Sequence, residues 1–373
     1  MADWSGLLPE LLMEISKKID LIQDFVNFGC VCKPWLRAAS AAKFNTKCRL
    51  PLLMLAEKEK THVREFYDIS MGGQIHQLDL PVAPGSSIFP TLGWLVVVLE
   101  TNADMIMLHP FSRRIINLPN PISLTEELVE NGITWLPHFL KAVLSADPCL
   151  SSDWILMIIY DGIGKLAFVK NGDKAWTGID APISSCSDIY YYERRFYGVD
   201  YQGRIAVCDV HGPNPTAGLL ISRIPTSLNA LVGCKFYLAE WCEKLVVIHR
   251  SLPKFEKVFR VFEIDFTHKG NWVEVSHLGS KAIFLGHNSS ITVDASEFRR
   301  CKRNCIYFTD DSLEGYVDSE DGRDMGIYNM ANRSVEPHFE EESCPQIIPR
   351  WLEPHFDGMT CAPLIPSWVQ LNF

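Results

Sequence analysis

The 373-residue sequence lacks any long apolar run. Clean segments such as Leu52 to Ala56 and Leu95 to Leu99 fall far below the ~20 residues a membrane-spanning helix needs, so no membrane partner is expected. Positive charge is also scarce. Asp and Glu number 45 against 35 Lys and Arg, a formal charge of −10, which removes the counterion-release attraction that nucleic-acid binders depend on. No basic leader precedes the first apolar stretch, which Asp3 and Glu10 flank, so a secretory route is not expected. The 12 cysteines therefore read as reduced thiols, and the close pairs Cys30/Cys32 and Cys301/Cys305 have neither a second pair nor histidines at zinc-finger spacing. Catalytic signatures of the GxSxG, HExxH and EF-hand types are missing, and Gly162 to Lys165 has too little of a phosphate loop to be more than a hairpin turn. A non-catalytic chain with no metal and no cofactor is the expectation.

What is present divides into two unlike regions. Leu8, Leu11, Leu12, Ile15 and Ile19 fall on one stripe of a helix that Pro9 opens, since proline suits the first helical position and holds the residue before it extended. A second helix is expected from Asp20, with Leu21, Phe25, Phe28 and Val31 inward, and a third from Pro34, with Trp35, Ala38, Ala39 and Ala42 on one face. Three short helices bury too little surface to be comfortable alone, so part of their apolar surface should dock elsewhere.

Beyond Pro51 the helical period disappears. Runs rich in β-branched and aromatic residues begin near Leu52, Trp94, Phe139, Ile189, Phe236 and Ile283, at intervals between 42 and 50 residues. A second run recurs in each unit, as at Ile155, Arg195, Leu245 and Cys305, and Trp176 and Trp272 follow similar turns two periods apart. That spacing predicts a β-propeller of about six four-stranded blades, with a helical domain over 1–46 and the propeller over 52–373. A two-sheet sandwich is the competing architecture. Asp318 to Asp324 reads as an acidic surface loop, and the basic run Arg299 to Arg303 as a solvated loop, a nuclear import signal or a grip for an acidic partner. Tyr190, Tyr191 and Tyr192 alternate faces on one strand, which favours packing over binding.

The segment Leu8-Pro9-Glu10-Leu11-Leu12, with Ile15, Ile19, Asp24-Phe25, Phe28 and Val31-Cys32-Lys33-Pro34-Trp35, resembles the F-box motif in residue type and spacing. Together with phrases such as Phe284-Leu285-Gly286, Asn304 to Phe308 and Trp351-Leu352-Glu353-Pro354, the whole chain is similar to plant F-box proteins with a C-terminal kelch-like propeller. The resemblance implies a substrate receptor of a Skp–cullin–F-box ubiquitin ligase. Leu8, Pro9, Leu11, Leu12, Ile15, Val31, Cys32 and Trp35 would grip the Skp-type adaptor, and through it a cullin, while propeller loops hold a target protein. Trp135, Trp241 and Arg194 are the candidate target contacts. An F-box scaffold that directs no degradation is the alternative, and a propeller enzyme a more remote one. Cytoplasm or nucleus would be the setting.

Overall fold

A computed structural model describes residues 4–19, 24–25, 28–29, 31–42, 50–55, 61–99, 104–124, 129–130, 133–134, 139–161, 163–221, 234–251, 258–266, 272–309, 325–338 and 367–369. Among the described residues two α-helices, α1 (Pro9–Ser16) and α2 (Lys33–Ala42), lie ahead of six β-sheets of four or five strands. Leu8 precedes α1 with extended φ −59 and ψ 138, and Pro9 takes the first helical position, as expected of a Leu-Pro entry. Of the three helices expected, these two are seen. Most of the middle one lies outside the described residues, although Asp24, Phe25, Phe28 and Gly29 have helical conformation.

Each of these six sheets is a propeller blade. From the innermost strand outwards, blade 1 comprises Ser367–Val369, Leu52–Met54, Val63–Asp68 and Gln74–Asp79; blade 2, Ser87–Thr91, Trp94–Val98, Met105–Leu108 and Ile115–Asn117; blade 3, Phe139–Leu144, Ile155–Tyr160, Lys165–Lys170 and Thr177–Ile179. Blade 4 follows with Cys186–Tyr192, Arg195–Asp200, Ile205–Asp209 and Thr216–Ile221, and blade 5 with Cys234–Trp241, Lys244–Ser251, Phe259–Ile264 and Trp272–Val275. Blade 6 has five strands, Ser290–Asp294, Lys281–Leu285, Cys305–Phe308, Gly326–Asn329 and Val335–Glu336. A small hairpin pairs Val129–Glu130 with Ile133–Thr134 between blades 2 and 3.

The ring closes because successive side chains on a strand point to opposite faces, and both faces of each blade meet a neighbour. In blade 2, Leu95 and Val97 pack towards blade 1, while Trp94, Val96 and Val98 pack towards blade 3. Six buried apolar clusters fill the six interfaces, the last joining Leu53 and Tyr67 of blade 1 to Ala282, Phe284 and Tyr307 of blade 6. That continuous circle answers the sandwich alternative. It also explains why Trp94 to Val98 and Ile155 to Tyr160 are apolar without alternation. The first and last strands of the ring meet in blade 1, where Ser367–Val369 pairs antiparallel with Leu52–Met54.

The number of units agrees with the spacing of the apolar runs, but their phase does not. The runs at Phe139, Ile189 and Phe236 lie on innermost strands, whereas Leu52 and Trp94 begin second strands. Ile283 also belongs to a second strand. In blade 6 the chain turns back after Leu285 through Gly286 to Ser289, lays Ser290–Asp294 inside, then crosses over so that Cys305–Phe308 runs parallel to Lys281–Leu285. Cys305 therefore starts a third strand, and the extra loop of residues 295–304 is the crossover that a parallel pair requires. Asp161 and Gly164 stand at φ 66 and 69 between paired Tyr160 and Lys165, the hairpin expected in place of a phosphate loop.

Candidate functional site

Two features of the described residues stand out as places where another molecule could sit: the outer face of the helical segment and the cavity inside the ring. The helical segment is amphipathic in a specific way. Leu12 is 0% exposed and joins Phe25, Phe28, Ala38 and Ala39 in the cluster that continues into Leu80 and Val82 at the junction of blades 1 and 2. On the outward edge of α1, Leu8, Leu11 and Ile15 are 62%, 50% and 41% exposed. Spaced i, i+3 and i+7, they form a bare apolar stripe along the helix. Trp4, Val31 and Leu36 are exposed as well. Isolated exposed apolar residues are ordinary, but a stripe aligned on one helix face is the pattern of an interaction surface.

Trp35 is half-buried, its ring 4.5 Å from that of Phe28 and its Nε1 donating to the Trp4 carbonyl at 3.1 Å. That bond ties the entry turn Trp4–Gly6 to α2. Cys32 is half-buried, and its carbonyl accepts from the Leu36 amide at 2.9 Å in the first turn of α2. Pro9 is exposed. Of the eight expected adaptor contacts, the structure thus leaves Leu8, Pro9, Leu11, Ile15 and Val31 open, puts Cys32 and Trp35 at partial depth, and packs Leu12 beneath them. Leu12 sits at the inward edge of the same apolar arc, i+4 from Leu8 and i−4 from the equally buried Ser16, so that edge turns into the cluster while Leu8, Leu11 and Ile15 stay outside it.

The second feature lies within the ring, where the inner strands of blades 2 to 6 enclose a cavity of ≈ 840 Å³. Side chains stitch those strands together. Asn288, on the turn before the innermost strand of blade 6, donates from Nδ2 to the Pro90 carbonyl at 2.5 Å and accepts at Oδ1 from the Ala142 amide at 2.8 Å, holding blades 2 and 3. Asp188 in blade 4 accepts from the Leu238 amide of blade 5 at 2.7 Å and pairs with Lys141 of blade 3, both side chains being buried. Burial pushes the Asp188 carboxyl up, against the opposing pull of Lys141. Thr292 of blade 6 donates to the Glu240 carbonyl of blade 5 at 2.5 Å, and Thr91 of blade 2 accepts from the Leu144 amide of blade 3 at 2.9 Å.

The cavity wall combines these stitched positions with two-residue turns that join first and second strands. Leu92-Gly93 and Cys242-Glu243 both take positive φ at both positions, the type I′ geometry matched to strand twist, and Glu193-Arg194 does the same in blade 4. Glu240 and Glu243 line the cavity as exposed carboxylates. Neither the sequence spacing nor any motif singles them out, because only the ring places Glu240, at the end of one inner strand, beside Ser290 at the start of another.

The expected target contacts fare unequally. Arg194 is exposed on its turn. Trp241 is half-buried against the cluster between blades 5 and 6, with Nε1 donating to the Leu278 carbonyl at 3.2 Å, so it serves packing there. Trp135 lies outside the described residues. Tyr192 is buried, its hydroxyl donating to the Glu243 carbonyl at 2.7 Å, and Tyr190 and Tyr191 pack partly into blade interfaces. Trp176 and Trp272 stand at the outermost strands of blades 3 and 5, equivalent places two blades apart. Of the basic run, Cys301 is buried, while Arg299, Arg300, Lys302 and Arg303 are exposed on the crossover of blade 6. The acidic stretch Asp318 to Asp324 and the Trp351 to Pro354 phrase lie outside the described residues. Burial pushes the Cys301 thiol up to about 12 and the Cys305 thiol up to about 11, so neither is a nucleophile at neutral pH. No group of three or more His, Cys, Asp and Glu able to hold a metal occurs among the described residues.

Residues 66–329, well over half of the chain, match the family model described as KIB1-4 beta-propeller. Similar proteins come from Arabidopsis thaliana. F-box protein SKIP23 is 26% identical over 381 residues, covering 90% of this chain and 91% of its own, and F-box protein At2g26160 is 24% identical over 345 residues, covering 84% and 98%. At5g55150, which also bears an F-box name, is 26% identical over 358 residues, covering 92% and 94%. Among solved structures, the N-terminal domain of Nup159 aligns with 80% of this chain and 79% of its own at TM-score 0.36 and 8% identity.

Proposed function

The chain belongs to the KIB1-4 beta-propeller family, and on that premise we propose that it is the substrate-recognition subunit of a Skp–cullin–F-box ubiquitin ligase. In this reading the helical segment docks a Skp-type adaptor and thereby a cullin, and the propeller holds a target protein. The kelch-like character of the blades belongs to the same proposal. The chain supplies no reacting group. Its contribution to ubiquitin transfer is proximity, since assembly holds target lysines near a charged enzyme carried elsewhere in the complex.

The observation that carries this reading is the bare stripe of Leu8, Leu11 and Ile15 on a helix whose inward edge, at Leu12 and Ser16, is already packed. The F-box names of the similar Arabidopsis proteins support it. A helix that needed the stripe for its own stability would bury it. Here Leu12 and Ser16 already provide the inward contact, which leaves the stripe free for a groove on the adaptor. Pro9, Val31, Cys32 and Trp35 would border the same contact, with Leu12 supporting it from below.

Burial of each Leu or Ile contributes ~1.5 to 3 kcal/mol, so replacing two central positions by carboxylates should weaken adaptor binding by at least ~100-fold. The test is co-purification of a Skp-type adaptor with the wild-type chain and with Leu11→Asp combined with Ile15→Asp. Wild type should capture the adaptor and the double variant should lose it at unchanged melting temperature. Equal capture by both folded chains would refute the assignment of these contacts. Target half-life on depletion of the protein then separates a degradative receptor from an F-box scaffold.

A further inference from the structure

The cavity inside the ring has a charge that its own wall does not balance. Its two lysines are already engaged, Lys141 with Asp188 and Lys281 with Asp294 at 3.0 Å. The carboxylates of Glu240 and Glu243 have no cationic partner among the described residues. Both belong to blade 5, at the end of the innermost strand and in the turn that follows it. Their backbone carbonyls are occupied, Glu240 by Thr292 and Glu243 by Tyr192, which fixes the main chain while leaving the side chains free to meet a ligand.

A second, independent observation comes from the facing strand. Ser290 lines the same cavity, is only 9% exposed, and its hydroxyl is buried without a hydrogen-bond partner. A buried hydroxyl left unpaired costs free energy that a donor arriving in the cavity would return. Two uncompensated carboxylates and one unsatisfied hydroxyl call for the same thing, a positively charged group with several N–H donors. The volume of ≈ 840 Å³ falls in the range of ligand pockets and exceeds what one side chain fills, so it also accommodates the residues flanking it.

We propose that this cavity receives a cationic side chain, an arginine guanidinium or a lysine ammonium, presented by an exposed loop of the target protein, with Glu240 and Glu243 pairing its charge and Ser290 accepting one of its N–H groups. The inference rests on the reading of the propeller as the target-binding half. It supplies that reading with a chemical class of target. A basic, exposed loop entering the ring is selected over an acidic or purely apolar one, because the latter would leave the carboxylates unpaired in a partly enclosed site.

The test uses the full chain in complex with its adaptor and fluorescent pentapeptides with blocked ends, Gly-Gly-X-Gly-Gly, in which X is arginine, lysine or norleucine; spermine serves as the free-cation probe. The arginine or lysine peptide should bind, the norleucine peptide at least tenfold more weakly, and affinity should fall as salt is raised. Glu240→Gln with Glu243→Gln should reduce binding at least tenfold, and Ser290→Ala several-fold, with the melting temperature of the double variant unchanged because both carboxylates are exposed. Norleucine binding equal to arginine, or binding indifferent to the double substitution, would overturn the proposal. Binding of spermine without either basic peptide would also overturn it, in favour of a small free cation. Adaptor capture is read on the same preparation: absence of peptide binding with the adaptor in place defeats this inference alone, whereas loss of the adaptor defeats the reading of the preceding subsection.

Discussion

Leu11 and Leu12 are adjacent in sequence and different in role, and the contrast comes from helix geometry together with what packs against the helix. A step of one residue turns the helix by about 100°, which carries Leu12 into the cluster with Phe25, Phe28 and Ala39 and leaves Leu11 half exposed. Leu12→Ala should therefore cost ~2–5 kcal/mol of local stability, through lost burial and the cavity left behind. Leu11→Ala should change stability by no more than ~0.5 kcal/mol. Limited proteolysis of the helical segment under native conditions reads the difference: faster cleavage for Leu12→Ala and a wild-type rate for Leu11→Ala. Equal susceptibility of the two variants would contradict the division of the helix into an anchored and an open face. The sequence stripe that contains both residues does not reveal this division, because Leu8, Leu11, Leu12 and Ile15 all fall within one broad apolar arc. Only the partners on the inward side, supplied by blades 1 and 2, decide which edge of the arc is covered. The carboxylates of Glu240 and Glu243 and the hydroxyl of Ser290 were equally invisible, since the ring brings them together across about 50 residues of chain.

At the scale of elements, the leading apolar run of each unit marks no fixed strand of its blade, being the innermost one in blades 3, 4 and 5 and the second one in blades 1, 2 and 6. Trp94–Val98 is buried at every position and dominates the sequence signal of its blade, while the innermost strand, Ser87–Thr91, carries Ser, Pro and Thr and gives almost none. Pro90 is compatible with that place because an innermost strand has one edge free of ladder bonds. The period of the runs thus counts six blades correctly but assigns Leu52, Trp94 and Ile283 to the wrong strand within them. Blade 1 could not be completed from local sequence at all, since its inner strand comes from Ser367–Val369. That closure has a measurable consequence. Val369 is 1% exposed in the cluster between blades 1 and 2, so Val369→Asp would bury a carboxylate and should cost at least ~3 kcal/mol. Val335→Asp, on the exposed outermost strand of blade 6, should be nearly neutral. Thermal unfolding of both variants checks this, and a Val369→Asp protein as stable as Val335→Asp would mean that the last strand does not close the ring.

For the whole molecule, the arrangement separates two surfaces by anchoring one domain on the other. The six interface clusters make the ring rigid, the stitched inner strands hold its cavity open, and the helical segment borrows the junction of blades 1 and 2 as its base. Helices this short would be marginal alone, and the borrowed base lets them present an apolar stripe without collapsing around it. The proposed receptor role would use this combination, a fixed geometry between a surface for the ligase adaptor and one for a target. The proposed adaptor contacts were legible in the sequence because a linear motif occupies consecutive helical turns; the cavity inside the ring was not, because it is assembled from five blades.

Hydrogen–deuterium exchange of the chain with and without a Skp-type adaptor tests that division most directly. The account predicts slowed exchange over the segment from Leu7 to Ser16 and over residues 31–42, with the inner strands around Glu240 and Ser290 unchanged. Protection confined to the propeller, with the helical segment exchanging as it does in the free protein, would contradict it.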